Sequence, residues 1–463
     1  MKQNRSLRIK ILHQLGPTRM LALSFFALIL VATILLCMPF VTDAPSQLSF
    51  LDNLFIATSV TTVTGIFPVV LSEHYNMIGH TIILILVQVG GLGVMSFIAF
   101  AMTVMKRRLY QSEKKMLQDS LSKEDLQDVP KFLKDIVKYT FFFEGLGAIL
   151  FLFKFIPEYG LFQGIYNSIF LSVSAFCNAG IDNFSLNSLR MYVTDPLINF
   201  TVCALVVTGG LGFVVWFDLR KQMGYWMKSH ESLKRFIYSL SLHTKIVLIM
   251  TTGLIIIGSM LFLLVENHHV LLSYNFLDKL QISIMQSITA RTAGFSTIAV
   301  KELTDTGLML MSLLMLIGGS PGGTAGGIKT TALVMLFLGI KAELTSEERM
   351  ILFKRTIHFS AFQRAFVITL VYIVSLILAL FILSMTESFS FMVLVFEAIS
   401  AITTAGMSMG VTLHFSDLGK IVILILMFIG RVGPITIALS LFRSKIKHKS
   451  SEIIYPQSDV LIG

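Results

Sequence analysis

Charge is scarce in this chain. Asp, Glu, Lys and Arg together make up 14% of its 463 residues, where a soluble domain carries about 25%. The deficit runs the whole length, so water is not the main solvent, and ordinary globular, disordered and disulfide-built classes are excluded. Cysteine is scarcer still: Cys37, Cys177 and Cys203 lack CxxC or CxxxC spacing, lie in apolar stretches, and read as packing residues. No HExxH-like pair occurs among the 10 histidines, which argues against a metal centre. No nucleophile stands at a fixed offset from a base and no acid pair lies inside an apolar run, so the sequence does not read as an enzyme. What is abundant is apolar, at 54% of residues with a mean hydropathy of +0.78.

Long apolar runs suited to spanning a bilayer fall at about 20–40, 76–105, 135–156, 196–217, 245–265, 305–340, 365–384 and 418–442. The first follows a basic start but lacks a small-x-small cleavage site, so it is expected to be a helix of the mature protein and not a signal peptide. Between the members of each pair lies a shorter apolar segment, near 52–64, 162–179, 277–293 and 389–405, too short to cross, which reads as a re-entrant helix. Of 37 Lys and Arg, 29 fall in 1–19, 106–138, 220–245, 341–364 and 443–449. With eight spans these segments share one side with both termini, and the positive-inside rule makes that side cytoplasmic. The +10 net charge is thereby explained without a nucleic-acid partner.

An internal repeat organises the chain. Each short segment ends in small or hydroxyl residues and a glycine: Thr61-Thr62-Val63-Thr64-Gly65, Phe176-Cys177-Asn178-Ala179-Gly180, Ala290-Arg291-Thr292-Ala293-Gly294 and Ile402-Thr403-Thr404-Ala405-Gly406. The glycines stand 115, 114 and 112 residues apart; Ser59, Ser174 and Ser400 stand six before, and Phe55, Phe170 and Phe396 ten before, in three copies. A second glycine-rich element follows at offsets of 25, 29, 24 and 24: Gly90-Gly91-Leu92-Gly93, Gly209-Gly210-Leu211-Gly212, Gly318-Gly319-Ser320-Pro321 and Gly430-Arg431-Val432-Gly433. Each unit has an even number of crossings, so the units share an orientation and can surround one axis along the membrane normal; inverted repeats of rocking carriers need an odd number.

Four re-entrant helices would direct their negative C-terminal ends at a central cavity, which favours a cation. The extended residues after them, Thr62 to Gly65, Cys177 to Gly180, Arg291 to Gly294 and Thr403 to Gly406, present backbone carbonyls able to replace a hydration shell. Glycine permits positive φ and close approach there. With no carboxylate ring at these positions, a monovalent cation is expected. Arg291 has two placements from sequence: behind the filter, paired with an acid of its layer, or facing the pore, where it would repel cations.

The stretch Gly318-Gly319-Ser320-Pro321-Gly322-Gly323-Thr324-Ala325-Gly326-Gly327 cannot continue a helix, since a Gly costs about 1 kcal/mol and a Pro about 3 relative to Ala. Non-helical backbone at that depth needs protein or water beside it. It lies below the filter and could block the cavity; a loose kink is the alternative. It is not a nucleotide loop, because Ile328 separates Gly327 from Lys329 and no strand precedes it. Arg431, deep in the last run, could hold that loop's free carbonyls, raise the barrier to cations, or pair with a structural acid. Glu144 is either a partner or a structural residue of its bundle.

The eight spans, the four phased glycines, the broken seventh run and the arginine in the eighth resemble the Trk/Ktr/HKT superfamily of potassium transporters over about residues 20–445, nearer to the bacterial KtrB-type membrane subunit than to TrkH. The resemblance implies an all-α membrane protein of eight transmembrane helices in four M1-P-M2 repeats, with fourfold pseudo-symmetry around a central pore. The repeats would be 20–105, 135–220, 245–340 and 365–443, joined by cytoplasmic linkers 106–134, 221–244 and 341–364 and flanked by cytoplasmic termini 1–19 and 444–463. It implies potassium uptake across a bacterial plasma membrane, potassium bound at the filter carbonyls, and a gate formed by Gly318 to Gly327 with Arg431. It further implies a homodimer regulated by a cytoplasmic ring of RCK/KTN subunits, with nucleotide on those partners and no cofactor on this chain. Some plant relatives have serine for the first filter glycine and carry sodium; Gly65 favours potassium, with sodium coupling, a sodium or non-selective cation pathway, a membrane-embedded enzyme or a non-conducting scaffold subunit as alternatives.

Overall fold

The computed structural model describes residues 17–42, 48–93, 129–184, 188–229, 232–347, 349–433 and 436–437. The chain beyond 437, the linker up to 128, and the ends of the runs 76–105 and 418–442 lie outside the described residues. In chain order the longer helices are α1 (Pro17–Leu36), α2 (Phe50–Thr62), α3 (Met77–Leu92), α4 (Val129–Tyr159), α5 (Leu161–Phe176), α6 (Pro196–Gly210), α7 (Phe213–Ser229), α8 (Leu233–Ser239), α9 (Leu242–Glu266), α10 (Phe276–Ala290), α11 (Asp305–Leu316), α12 (Thr330–Leu344), α13 (Phe359–Thr386), α14 (Phe391–Thr403) and α15 (Asp417–Val432).

α1, α4, α9 and α13 are each long and apolar enough to cross a bilayer unbroken. The second run of each pair is interrupted or short, and its glycines are the reason. α3 stops at Gly93 (φ +84°) and α15 at Gly433 (φ +93°), a left-handed conformation that ends a helix. The single helix expected over 196–217 is corrected: α6 gives way to α7 with a bend of 94°. There Gly212 takes φ +89°, and the Phe213 N–H donates to the Gly322 carbonyl (3.1 Å) instead of to its own helix. The chain is not wholly helical either. An antiparallel hairpin, β1 (Met350–Leu352) with β2 (Arg355–Ile357), lies in the linker 341–364, its turn residues Phe353 and Lys354 at φ +48° and +60°.

Local chemistry starts the second helices. Side chains of Asn76, Asp195, Thr304 and Ser416 accept hydrogen bonds from the first turns of α3, α6, α11 and α15. Packing then sets the order. α1 lies on α2, α4 on α5, α9 on α10 and α13 on α14; α3 lies on α5, α6 on α10, α11 on α14, and α15 returns to α2. The short helices are thus enclosed in a cycle, with Phe55, Phe170 and Phe396 fully buried behind them. Lys420 on α15 bonds Asp52 on α2 at 2.7 Å, joining the last unit to the first.

Candidate functional site

The four short helices end in one backbone path. Two residues before each filter glycine, Val63, Asn178, Thr292 and Thr404 take φ of +57°, +60°, +70° and +51°, and Gly65, Gly180, Gly294 and Gly406 take +87°, +66°, +79° and +84°. Positive φ was expected at the glycines; the four non-glycine residues, an asparagine and three β-branched side chains (one valine and two threonines), were not foreseen. Hydrogen bonds hold them. The N–H groups of Thr64, Ala179 and Ala405 donate to the carbonyls of Ser59, Ser174 and Ser400 at 2.8 Å each, and Ala293 donates to Thr289 at 2.9 Å. The repeated serine adds its hydroxyl: Ser59 Oγ accepts from Gly65 N (3.1 Å) and Ser174 Oγ from Ile181 N (2.9 Å). Ile288 occupies that place in the third copy, and Ser400 Oγ has no partner among the described residues.

These segments meet. A Cβ built on Gly65 would strike the carbonyl oxygen of Ala179; one on Gly180 would stand 2.6 Å from that of Ala293; one on Gly294, 2.8 Å from that of Ala405; and one on Gly406 would strike that of Thr64. The order 65, 180, 294, 406 therefore closes on itself with carbonyls at each junction. Side chains of the segments turn away into packing: Thr62 and Thr64 hydroxyls lie 2.7 Å apart, Thr403 Oγ1 donates to the Ile399 carbonyl (2.7 Å), and Cys177 Sγ faces Gln88 Oε1 (3.8 Å).

The second glycine-rich elements pack against the same helix ends. A Cβ on Gly90, Gly209 or Gly430 would strike the carbonyl oxygen of Thr61, Phe176 or Ile402, in each case the residue four before the filter glycine. A side chain there would push the filter-bearing helix out of place.

The stretch 318–327 leaves α11, and Ile317 bridges to Ile328. Gly318 N donates to Ile328 O (3.0 Å) and Thr330 N to Gly319 O (3.1 Å). Three of its outward bonds run to the preceding unit, Ser320 N to Gly210 O (3.0 Å), Thr324 N to Gly209 O (3.2 Å) and Thr324 Oγ1 to Phe176 O (3.0 Å), and a fourth, Gly326 N to Thr292 Oγ1 (3.1 Å), to the short-helix end of its own unit. Glycine is required at Gly326, where a Cβ would strike Thr403 O and Thr404 Oγ1. Pro321, Gly322 and Gly323 sit against the Gly209 to Gly212 element, and Lys329 Nζ donates to Ala325 O (2.7 Å). Arg431 Nη1 donates to Thr324 O (2.6 Å), and its Nη2 to the carbonyls of Gly90 and of Gly91 (3.1 Å). The guanidinium thus spans the loop and the end of α3.

Two side chains that the sequence left with alternative placements are buried. Arg291 is buried, but the acid partner is not found: Nε has no partner among the described residues and no ion pair reaches the side chain there. Glu144 is buried beside α5, its backbone carbonyl accepting from Ser172 Oγ (2.6 Å); Arg431 spends its donors on backbone carbonyls instead. One residue was missed. Glu397 is fully buried in α14, where Oε1 accepts from Ser408 Oγ (2.7 Å) and Met409 N (2.8 Å) and Oε2 from Thr412 Oγ1 (3.1 Å), tying down the chain that leaves the fourth filter segment. A lone carboxylate in the apolar run FMVLVFEAISAIT was the available signal.

Apolar helices long enough to cross a bilayer, closed around short helices that end in facing carbonyls, are the build of a multi-pass membrane protein. The chain belongs to the TrkH family, described as cation transport protein, which it matches over residues 16–453. It is 35% identical to the potassium/sodium uptake protein NtpJ of Enterococcus hirae (98% of this chain, 99% of the relative) and 34% identical to the Ktr system potassium uptake protein B of Vibrio alginolyticus (97% and 95%). The protein of that last name from Bacillus subtilis is 33% identical (96% and 97%). The fold is that of the potassium transporter TrkH from Vibrio parahaemolyticus, with a TM-score of 0.73 at 16% identity over 91% of this chain and 84% of the other.

Proposed function

We propose that this chain is the membrane subunit of a potassium uptake system. The observation that carries the reading is the closed cycle of four filter segments with matching positive-φ backbones and a carbonyl at every junction. In this reading the eight runs cross the membrane in four M1-P-M2 units around a central pore, the run 196–217 crossing as α6 and not as one helix, over the repeat and linker ranges given above, with both termini cytoplasmic. Potassium sheds water against the carbonyls of Thr62 to Gly65, Cys177 to Gly180, Arg291 to Gly294 and Thr403 to Gly406. Gly318 to Gly327 closes the pathway below them and Arg431 fastens it; the bonds to Phe176, Thr292, Gly209 and Gly210 support a loop seated under the filter. The names of the Vibrio and Bacillus relatives support potassium, and their designation as component B of a system supports a partner. The RCK/KTN ring, docking on 106–138 and 218–245, and the homodimer rest on the family resemblance.

Sodium dependence is a second reading, favoured by the name of the Enterococcus relative. Rubidium or potassium flux into liposomes holding the purified chain tests both, with and without sodium and the partner ring. Potassium-selective flux is expected. Its absence in every condition would end the proposal, and sodium coupling stands only if flux rises with sodium.

A further inference from the structure

Beyond Phe213, whose N–H meets the Gly322 carbonyl, α7 has no part in the filter and loop contacts described above. It leaves α6 at 94°, so when α6 crosses the bilayer α7 runs along its surface. It carries both tryptophans of the chain, Trp216 and Trp226, and exposes Met223 and Met227 beside Arg220, Lys221 and Lys228. Aromatic, apolar and basic side chains in that mixture mark a helix lying in the membrane interface. Its position is fixed. Trp216 Nε1 donates to Thr208 O (2.9 Å) across the bend, and Asp218 Oδ2 accepts from Ser241 N (2.9 Å) and Thr244 Oγ1 (2.6 Å) at the start of α9.

Between α7 and the start of α4 lies an open cavity of about 730 Å³, inside the range of roughly 300–1,000 Å³ usual for small-ligand sites. Lys131, Arg220, Lys221 and Lys228 line it against a single carboxylate, Asp135, and its floor is apolar, with Phe132 and Phe217 edge to face at 5.0 Å. The Arg220 guanidinium is held over the Tyr139 ring at 5.7 Å. From the cavity an apolar stripe climbs α4. Phe142, Leu146, Ile149 and Phe153 follow Asp135 at helical spacing, and all are at least 49% exposed.

We propose that this cavity is a binding site for an anionic phospholipid, the phosphate of the headgroup meeting Lys131, Arg220, Lys221 and Lys228 and an acyl chain lying along Phe142 to Phe153. Four cations around one carboxylate select a negative headgroup, the apolar floor and stripe select a lipid over a free anion, and the inner leaflet supplies such lipids. The inference rests on the orientation proposed above but not on the ion carried.

The test is native mass spectrometry of the purified full chain with equimolar phosphatidylglycerol and phosphatidylcholine, which needs no flux and so succeeds or fails apart from the transport reading. Wild type is expected to retain phosphatidylglycerol at least about tenfold over phosphatidylcholine, since each basic residue near a charged lipid surface adds to the attraction. The triple variant Lys131→Gln, Lys221→Gln, Lys228→Gln should lose most of that preference, while the triple arginine variant at these positions should keep it. No preference in wild type, full preference in the glutamine variant, loss in the arginine variant as well, or displacement by millimolar inorganic phosphate would each overturn the lipid site.

Discussion

The repeated serine shows how a single side chain is weighed by its partner. Ser59 and Ser174 hold backbone N–H groups beside the filter glycines, whereas Ser400, at the same register, has a buried hydroxyl with no partner among the described residues. Removing a buried acceptor strands its donor at about 1–3 kcal/mol, and removing an unpartnered hydroxyl costs little. Ser59→Ala and Ser174→Ala should therefore lower thermal stability in detergent measurably, and Ser400→Ala should leave it unchanged or raise it. Equal losses in all three would refute these hydrogen-bond assignments. Arg431 is the other residue whose partners set its effect. With Thr324, Gly90 and Gly91 carbonyls as its acceptors, Arg431→Ala should free the loop and raise cation flux about tenfold, the effect of roughly 1.4 kcal/mol on a closed–open balance, with ion ranking nearly unchanged. Unchanged or reduced flux in a folded variant contradicts a fastened gate.

Among the elements, glycine has two separate duties that the sequence shows only as one repeated motif. In the first, second and fourth copies the first glycine of the second element lets a short-helix carbonyl approach, and the last, Gly93, Gly212 or Gly433, stands at positive φ where the helix ends or bends. Gly209→Ala places a methyl against Phe176 O and the Thr324 hydroxyl and should destabilise by about 1–3 kcal/mol. Gly253→Ala, in α9 with open space around it, should cost nothing; the two melting temperatures compared side by side decide the matter. Shortening 318–327 should raise flux as Arg431→Ala does, and a deletion that folds but conducts less would favour a structural kink.

The four phased segments were legible because a feature repeated four times in register stands out against one sequence's noise, and the break in 318–327 because glycine and proline act locally. The break at Gly212 was hidden: the apolar run continues to Phe217, and the acceptor that captures Phe213 N–H is Gly322, more than a hundred residues away. Glu397 was hidden likewise, since Ser408, Met409 and Thr412 meet it only after the chain has turned back. Non-glycine residues at positive φ carry no local signal, because the hydrogen bonds that hold them belong to the helix end as a whole.

For the whole molecule, closure is the central claim: the packing cycle, the Lys420–Asp52 bond between last and first units, and the four junctions of the filter describe one ring and not four sites. The most direct test is the potassium-to-sodium flux ratio in liposomes for wild type and for Gly65→Ser, Gly180→Ser, Gly294→Ser and Gly406→Ser. Each change puts a side chain at positive φ against a neighbouring segment, which costs more than about 1 kcal/mol where φ is incompatible. A shared ring predicts that every one of the four, normally folded, lowers the ratio by about tenfold or more. A ratio left at the wild-type value in all four would contradict it.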